Sequence, residues 1–250
     1  MKQLHIWVFY ISLLGFWNVQ GQTTVSSTQE LPIVIQDSLN TKKKTPISLR
    51  FGLDLYRLGL SQLNSDYQGF EGVADLRIKE DFYLAMEIGN EETTKQSEQV
   101  NFTTRGTYLK LGFDYNMYEN WLGMNNLIHL GLRLGSSRHD QFLNSYTILD
   151  RDRFWPGAEL PISSGFATGE RSNLNAVWME VVAGFKVQIL NNVYLGFSLR
   201  LNRLFTDKEP ENFDNIFIPG FNKKTVDNKF GAGINYTLTY NIPFRFKIGD

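Results

Sequence analysis

The chain contains no cysteine. That excludes disulfides, thiolate metal sites, a cysteine nucleophile and a lipidated N-terminal cysteine, so the fold must be closed by other means. It also has little net charge, −1, because 25 basic residues stand against 26 acidic ones. No global field therefore recruits nucleic acid or another polyanion. Long uninterrupted apolar runs are missing after the first residues, so no membrane-spanning helix is expected. No glycine-rich phosphate loop opens a helix, and no His/Asp cluster has metal-ligand spacing. No cofactor is expected.

What is present is aromatic character. Aromatics make up 14% of the 250 residues, with 11 Tyr and 19 Phe, as strands and membrane interfaces favour. The length suits one all-β domain. At the N-terminus, Lys2, the apolar run Ile6 to Trp17 and the small-residue site Val19-Gln20-Gly21 predict a signal peptide over residues 1–21. Residues 22–46 are polar, rich in Ser and Thr, and include Lys42-Lys43-Lys44, which reads as a flexible periplasmic leader. Residues 47–250 carry the domain.

Within that domain, stretches alternate bulky apolar residues with small or charged ones at a period of two, the mark of a strand with two unlike faces. Ile47 to Tyr56 sets Leu49, Phe51, Leu53 and Leu55 against Arg50, Gly52 and Asp54. Tyr67 to Ile78 follows, then Phe82 to Gly89, Tyr108 to Asp114 and Ile128 to Gly135. Val177 to Val187, Leu195 to Asn202 and Phe230 to Thr239 complete a set of eight. Lys79-Glu80-Asp81 and Leu190-Asn191-Asn192 read as tight turns, and Asn116 to Asn126 as a moderate one. Asn90 to Asn101, Ser136 to Asn173 and Thr206 to Asn228 read as long polar loops. With the chain starting on the periplasmic side, every short turn falls there and every long loop outside. Outer-membrane barrels have that asymmetry. The predicted fold is all-β: an eight-stranded antiparallel up-and-down transmembrane β-barrel with long extracellular loops, in the cell outer membrane.

Glycine indicates which face is inside. Gly52, Gly69, Gly89, Gly112, Gly131, Gly135, Gly184, Gly196, Gly231 and Gly233 all fall on the polar face, where a narrow barrel needs room. By the same parity the interior receives the acids Asp54, Glu71, Asp75, Glu87, Asp114 and Glu180, and the bases Arg50, Arg77, Lys110, Arg133, Lys186 and Arg200. Enclosed charges must pair, and equal numbers allow it. Such a filled interior argues against an open pore. Phe82, Tyr115, Tyr118, Trp121, Tyr240 and Phe244 are placed to form the lower interfacial belt.

Chemistry is harder to find. His129 reads as an interior structural imidazole. Ser136-Ser137-Arg138-His139-Asp140 puts the residue types of a hydrolytic triad in one loop, although triads are built by folds and rarely by adjacency. The acidic run Asp207 to Asp214 lacks the glycine-centred order of a calcium loop. Arg151, Arg153, Phe154, Trp155, Phe217 and Phe221 mix charge with aromatic area in the long loops, as a partner surface would, or as loops packing on themselves would.

Trp121-Leu122-Gly123-Met124, Leu143 to Ile148, Phe197 to Arg203, Glu209 to Asn215 and Ile218-Pro219-Gly220-Phe221-Asn222 resemble an uncharacterised family. It is domain-of-unknown-function family 6048, secreted barrel-forming proteins of Bacteroidota, and the resemblance runs from about Ile47 to Phe244. It implies a Gram-negative outer membrane and assigns no catalytic or binding residue. The expected role is therefore structural or binding and not enzymatic. Expected partners are outer-membrane lipid, the barrel-assembly and periplasmic chaperone machinery, and an extracellular partner that the residues do not identify. The alternatives are an outer-membrane lipid-modifying enzyme and a secreted lipocalin-like protein for an apolar ligand.

Overall fold

The computed structural model describes residues 47–96, 100–118, 126–146, 169–209, 215–224 and 229–243. The expected signal peptide and leader lie outside them. Strands β1 (Ser48–Asp54), β2 (Tyr67–Arg77), β3 (Phe82–Gln96), β4 (Val100–Asn116), β5 (Leu127–Tyr146), β6 (Gly169–Leu190), β7 (Val193–Asp207) and β10 (Phe230–Pro243) pair antiparallel with their neighbours. The first and last strands close the ring, Ser48 opposite Pro243 and Asp54 opposite Thr237. Two further strands, β8 (Phe217–Ile218) and β9 (Asn222–Lys223), form a separate small hairpin.

The two faces are those that the alternation predicts. On β4, Leu109, Leu111 and Phe113 point outward and are exposed, whereas Tyr108, Lys110 and Asp114 point inward and are buried. Leu111 is 50% exposed and its neighbour Lys110 is 1% exposed. A protein whose apolar side chains face out and whose ions face in is inverted relative to a water-soluble core. The inward glycines are needed for close approach. A Cβ at Gly89 would strike the Tyr108 hydroxyl, and one at Gly135 would strike the Trp178 indole.

Three expectations need correction. The first strand ends at Asp54, two residues short of Tyr56, because a helix starts there. In this helix, α1 (Leu55–Leu63), the Asp54 carboxylate accepts the Tyr56 N–H at 2.8 Å as an N-cap. The Asn64 N–H closes the far end on the Leu60 carbonyl. Second, most of Asn90 to Asn101 is strand and not loop, since β3 runs to Gln96 and β4 starts at Val100. Nor is Ser136 to Asn173 wholly one: β5 continues to Tyr146, and β6 has begun by Gly169. These extensions are largely polar, with only scattered apolar residues such as Phe102, Leu143 and Leu174, so apolar alternation does not mark them.

The third correction concerns Thr206 to Asn228. Its β8–β9 hairpin folds inward and packs Ile218 and Phe221, each 0% exposed, against Tyr108, Trp178 and Leu204. Pro219-Gly220 makes the turn. Gly220 has φ +80°, and a Cβ there would lie 2.6 Å from the Tyr108 ring. Only glycine satisfies both conditions. At the short-turn end Tyr115, Tyr118 and Tyr240 are exposed and Phe82 stacks on Phe113 at 5.2 Å. Trp121 and Phe244 lie outside the described residues.

Candidate functional site

The lumen holds paired ions in three tiers. Nearest the short turns, Asp75 accepts from Arg50 Nε at 2.6 Å and from Lys186 Nζ at 2.5 Å. The Arg50 guanidinium lies over the Tyr83 ring at 4.7 Å. Beside this cluster, both Asp114 oxygens accept from Arg133 Nη2, at 2.8 and 2.9 Å. His129 lies 4.0 Å from the same carboxylate.

The middle tier is built on Glu87 and Glu180. Arg200 donates to the two oxygens of Glu87 at 2.6 and 2.9 Å and to Glu180 at 2.9 Å. Arg133 Nε reaches Glu87 at 3.3 Å, and Trp178 Nε1 donates to Glu180 at 2.7 Å. Lys110 Nζ sits among three carboxylates, 3.1 Å from Glu180, 3.7 Å from Glu87 and 3.8 Å from Glu71. It joins the middle tier to the outer one.

In the outer tier, Arg57 of α1 lies 2.8 Å from Glu91, 3.4 Å from Glu71 and 3.6 Å from Asp54. Tyr108 donates to Glu71 at 2.7 Å, and the Asn235 amide donates to both Asp54 and Glu71. Glu91 also accepts the Gly220 N–H at 2.9 Å, so one carboxylate ties α1 to the hairpin.

The structure brings together eleven of the twelve residues that parity assigns to the interior. Asp54, Glu71, Asp75, Glu87, Asp114, Glu180, Arg50, Lys110, Arg133 and Arg200 are buried, and Lys186 is nearly so. Arg77 is the exception. It is the last residue of β2 and reaches into the turn, donating to the Glu80 carbonyl at 2.7 Å. Arg57 and Glu91 join the network from outside the predicted set. Glu91 continues the inward series Glu87, Gly89, Glu91, so extending β3 would have found it. Arg57 follows a cap residue by three positions, a helical spacing that strand parity does not register.

Between the two inner tiers the free volume is about 30 Å³, bordered by Asp75, Glu87, Asp114, His129, Arg133 and Arg200 among others. That is room for about one or two waters. A recess of about 640 Å³ lies at the long-connection end, with α1 residues, Glu91, Gly220 and Asn235 among its lining.

Ser137, His139 and Asp140 do not form a triad. Ser137 Oγ is 3.2 Å from His139 Nδ1, but His139 Nε2 faces the Asn215 amide oxygen at 3.3 Å. Asp140 instead accepts the Asn173 N–H at 3.0 Å. Ser137 and His139 are 2% and 1% exposed. Asn215 donates onward to Asp207 at 3.1 Å, so the row fastens the hairpin to β5 and β7. Asp207 and Glu209 both bind Lys224 Nζ at 2.7 Å, which uses part of the acidic run. Burial opposes the Lys224 ammonium, yet the two carboxylate hydrogen bonds hold its pKa above the ordinary lysine value.

The aromatic partner surface is also revised. Phe217 is 7% and Phe221 0% exposed, so both are packing residues and not contacts for a partner. Phe221 packs with Tyr108 and Trp178, and Phe217 with Phe102 and Leu143, seats that strand parity does not show. Arg151, Arg153, Phe154 and Trp155 lie outside the described residues.

A family model described as a domain of unknown function, DUF6048, matches residues 3–247, and the chain belongs to that family. No curated protein matches it. Among solved structures it is similar to Ail, the attachment invasion locus protein of Yersinia pestis, at 8% identity and a TM-score of 0.37, over 79% of this chain and 97% of that one. It is similar to Neisserial surface protein A at 12% identity and 0.37, over 79% and 95%. A major outer membrane protein from Thermus thermophilus follows at 10% identity and 0.36, over 79% and 98%.

Proposed function

We propose that this member of the DUF6048 family is a small outer-membrane barrel of structural or binding role, with a closed lumen and no catalytic centre. The observation that carries the reading is the inversion of the wall, with exposed Leu, Ile and Phe outside and paired ions inside. In hydrocarbon that wall needs no other partner, because a closed ring leaves no strand edge unsatisfied. In water its apolar belt would drive aggregation. The small free volume between the inner tiers supports a closed lumen. Burial of Ser137 and His139 supports a role other than acyl chemistry. The ions that line the inner and middle tiers favour this reading over a chamber for an apolar ligand. The barrel-assembly and periplasmic chaperone machinery would deliver the chain, and the long connections between strands would meet whatever partner it has outside.

Cell fractionation tests this reading. The protein should pellet with outer membranes and run as a heat-modifiable band, and trypsin on intact cells should cut at Arg151 or Arg153, between β5 and β6. Recovery in the soluble fraction, with no heat-modifiable form, would overturn it.

A further inference from the structure

Above the apolar belt, the outer wall of β2 to β5 changes character within one rung. Phe70, Ile88, Leu109 and Leu134 end the belt; Asn90, Glu92, Arg105, Thr107, Arg138 and Asp140 follow it outward. Register places these polar residues side by side. Glu92 faces Arg105 and Asn90 faces Thr107 across β3 and β4. Arg105 faces Asp140 and Thr107 faces Arg138 across β4 and β5. Together they line a groove of about 790 Å³ on the barrel's outer surface.

Among the described residues, neither guanidinium enters an ion pair, although carboxylates stand in neighbouring positions. Asp140 is engaged by the Asn173 N–H. The Arg105 guanidinium instead lies over the outward Phe142 ring at 4.9 Å. That contact holds a cation at one depth and leaves its N–H donors free.

Resting on the outer-membrane reading, we infer that the β2–β5 groove binds the headgroup of a phosphorylated glycolipid whose acyl chains lie along the belt below. Continuity with the belt selects a lipid, since one molecule can meet apolar rows and polar groove at once. Arg105 and Arg138 supply forked donors for phosphate oxygens. Asn90 and Thr107 can meet hydroxyls as donors or acceptors, and Glu92 and Asp140 can accept from them. A purely anionic headgroup without hydroxyls would leave those carboxylates facing like charge.

The test uses the full mature barrel in a zwitterionic detergent, incubated with diphosphorylated lipid A, separated by size, and assayed for bound phosphorus. Wild type should retain the lipid, and the R105Q/R138Q variant should retain about tenfold less or below, with unchanged heat-modifiability. Phosphatidic acid, whose headgroup has no hydroxyl, should compete poorly. Equal retention by the variant, equal competition by phosphatidic acid, or equal binding of free glucose 1-phosphate would overturn the inference. A heat-modifiable barrel that retains no lipid A refutes the groove alone, whereas a sample with no heat-modifiable form refutes the membrane reading beneath it.

Discussion

Glu87 shows how single residues hold this interior. Its two oxygens receive Arg200, Arg133 and, at longer range, Lys110, and the free volume beside it is only about 30 Å³. Buried pairs stabilise little over an apolar isostere, but deleting one member strands the other charge. Glu87→Gln should therefore cost about 3–5 kcal/mol, measured by urea unfolding of the folded barrel. Adding Arg200→Met to it should cost less than the sum of the two single changes, because the stranded cation is removed as well. Lys224 acts differently because it lies in the outer connection. Its raised pKa means that the ammonium stabilises the hairpin fully at any pH below the unfolded lysine value of about 10.4. The contribution is lost only as pH rises through the higher folded value. Lys224→Met should thus lower the melting temperature equally at pH 6 and 9, with the deficit shrinking only once pH rises past the ordinary lysine range.

The elements differ in how far the chain's pattern exposes them. Strand faces are legible wherever apolar and polar positions alternate, which is why Lys110, Glu180 and Arg200 fall inside as parity places them. The tops of β3 to β6 are not, because Glu91 and Thr93 face in while Asn90, Glu92 and Thr94 face out, leaving no contrast to read. The helix α1 escapes the pattern because its residues continue β1 in apolar character; its cap, Asp54, has the parity of another inward strand residue. The hairpin misleads because Ile218 and Phe221 in a long connection resemble an exposed binding tip, whereas Tyr108 and Trp178 provide an internal seat. Gly220→Ala tests that seat. The positive φ alone costs about 1–2 kcal/mol for alanine, and the Cβ meets Tyr108 besides. The variant should release the hairpin without opening the barrel, seen as faster tryptic cleavage at Lys223 or Lys224 and a red shift of Trp178 emission.

At the scale of the whole molecule, both faces of the wall follow from one constraint. Backbone groups are satisfied by closure of the ring, so side chains are free to suit hydrocarbon outside and one another inside. The lumen is then too narrow to leave its charges hydrated, and the chain answers with near-equal numbers of acids and bases. That balance is visible as a sequence property, though its membership is not: Arg77 gives way to Arg57, and Glu91 joins the acids. The central claim is that the outward face meets lipid. Its most direct measurement is the unfolding free energy of Leu132→Arg in phosphatidylcholine vesicles, since Leu132 is an outward residue in the middle of the β5 belt. The variant should lose about 2–4 kcal/mol relative to wild type. A loss within about 0.5 kcal/mol, the range of an ordinary water-exposed substitution, would contradict a lipid-facing wall.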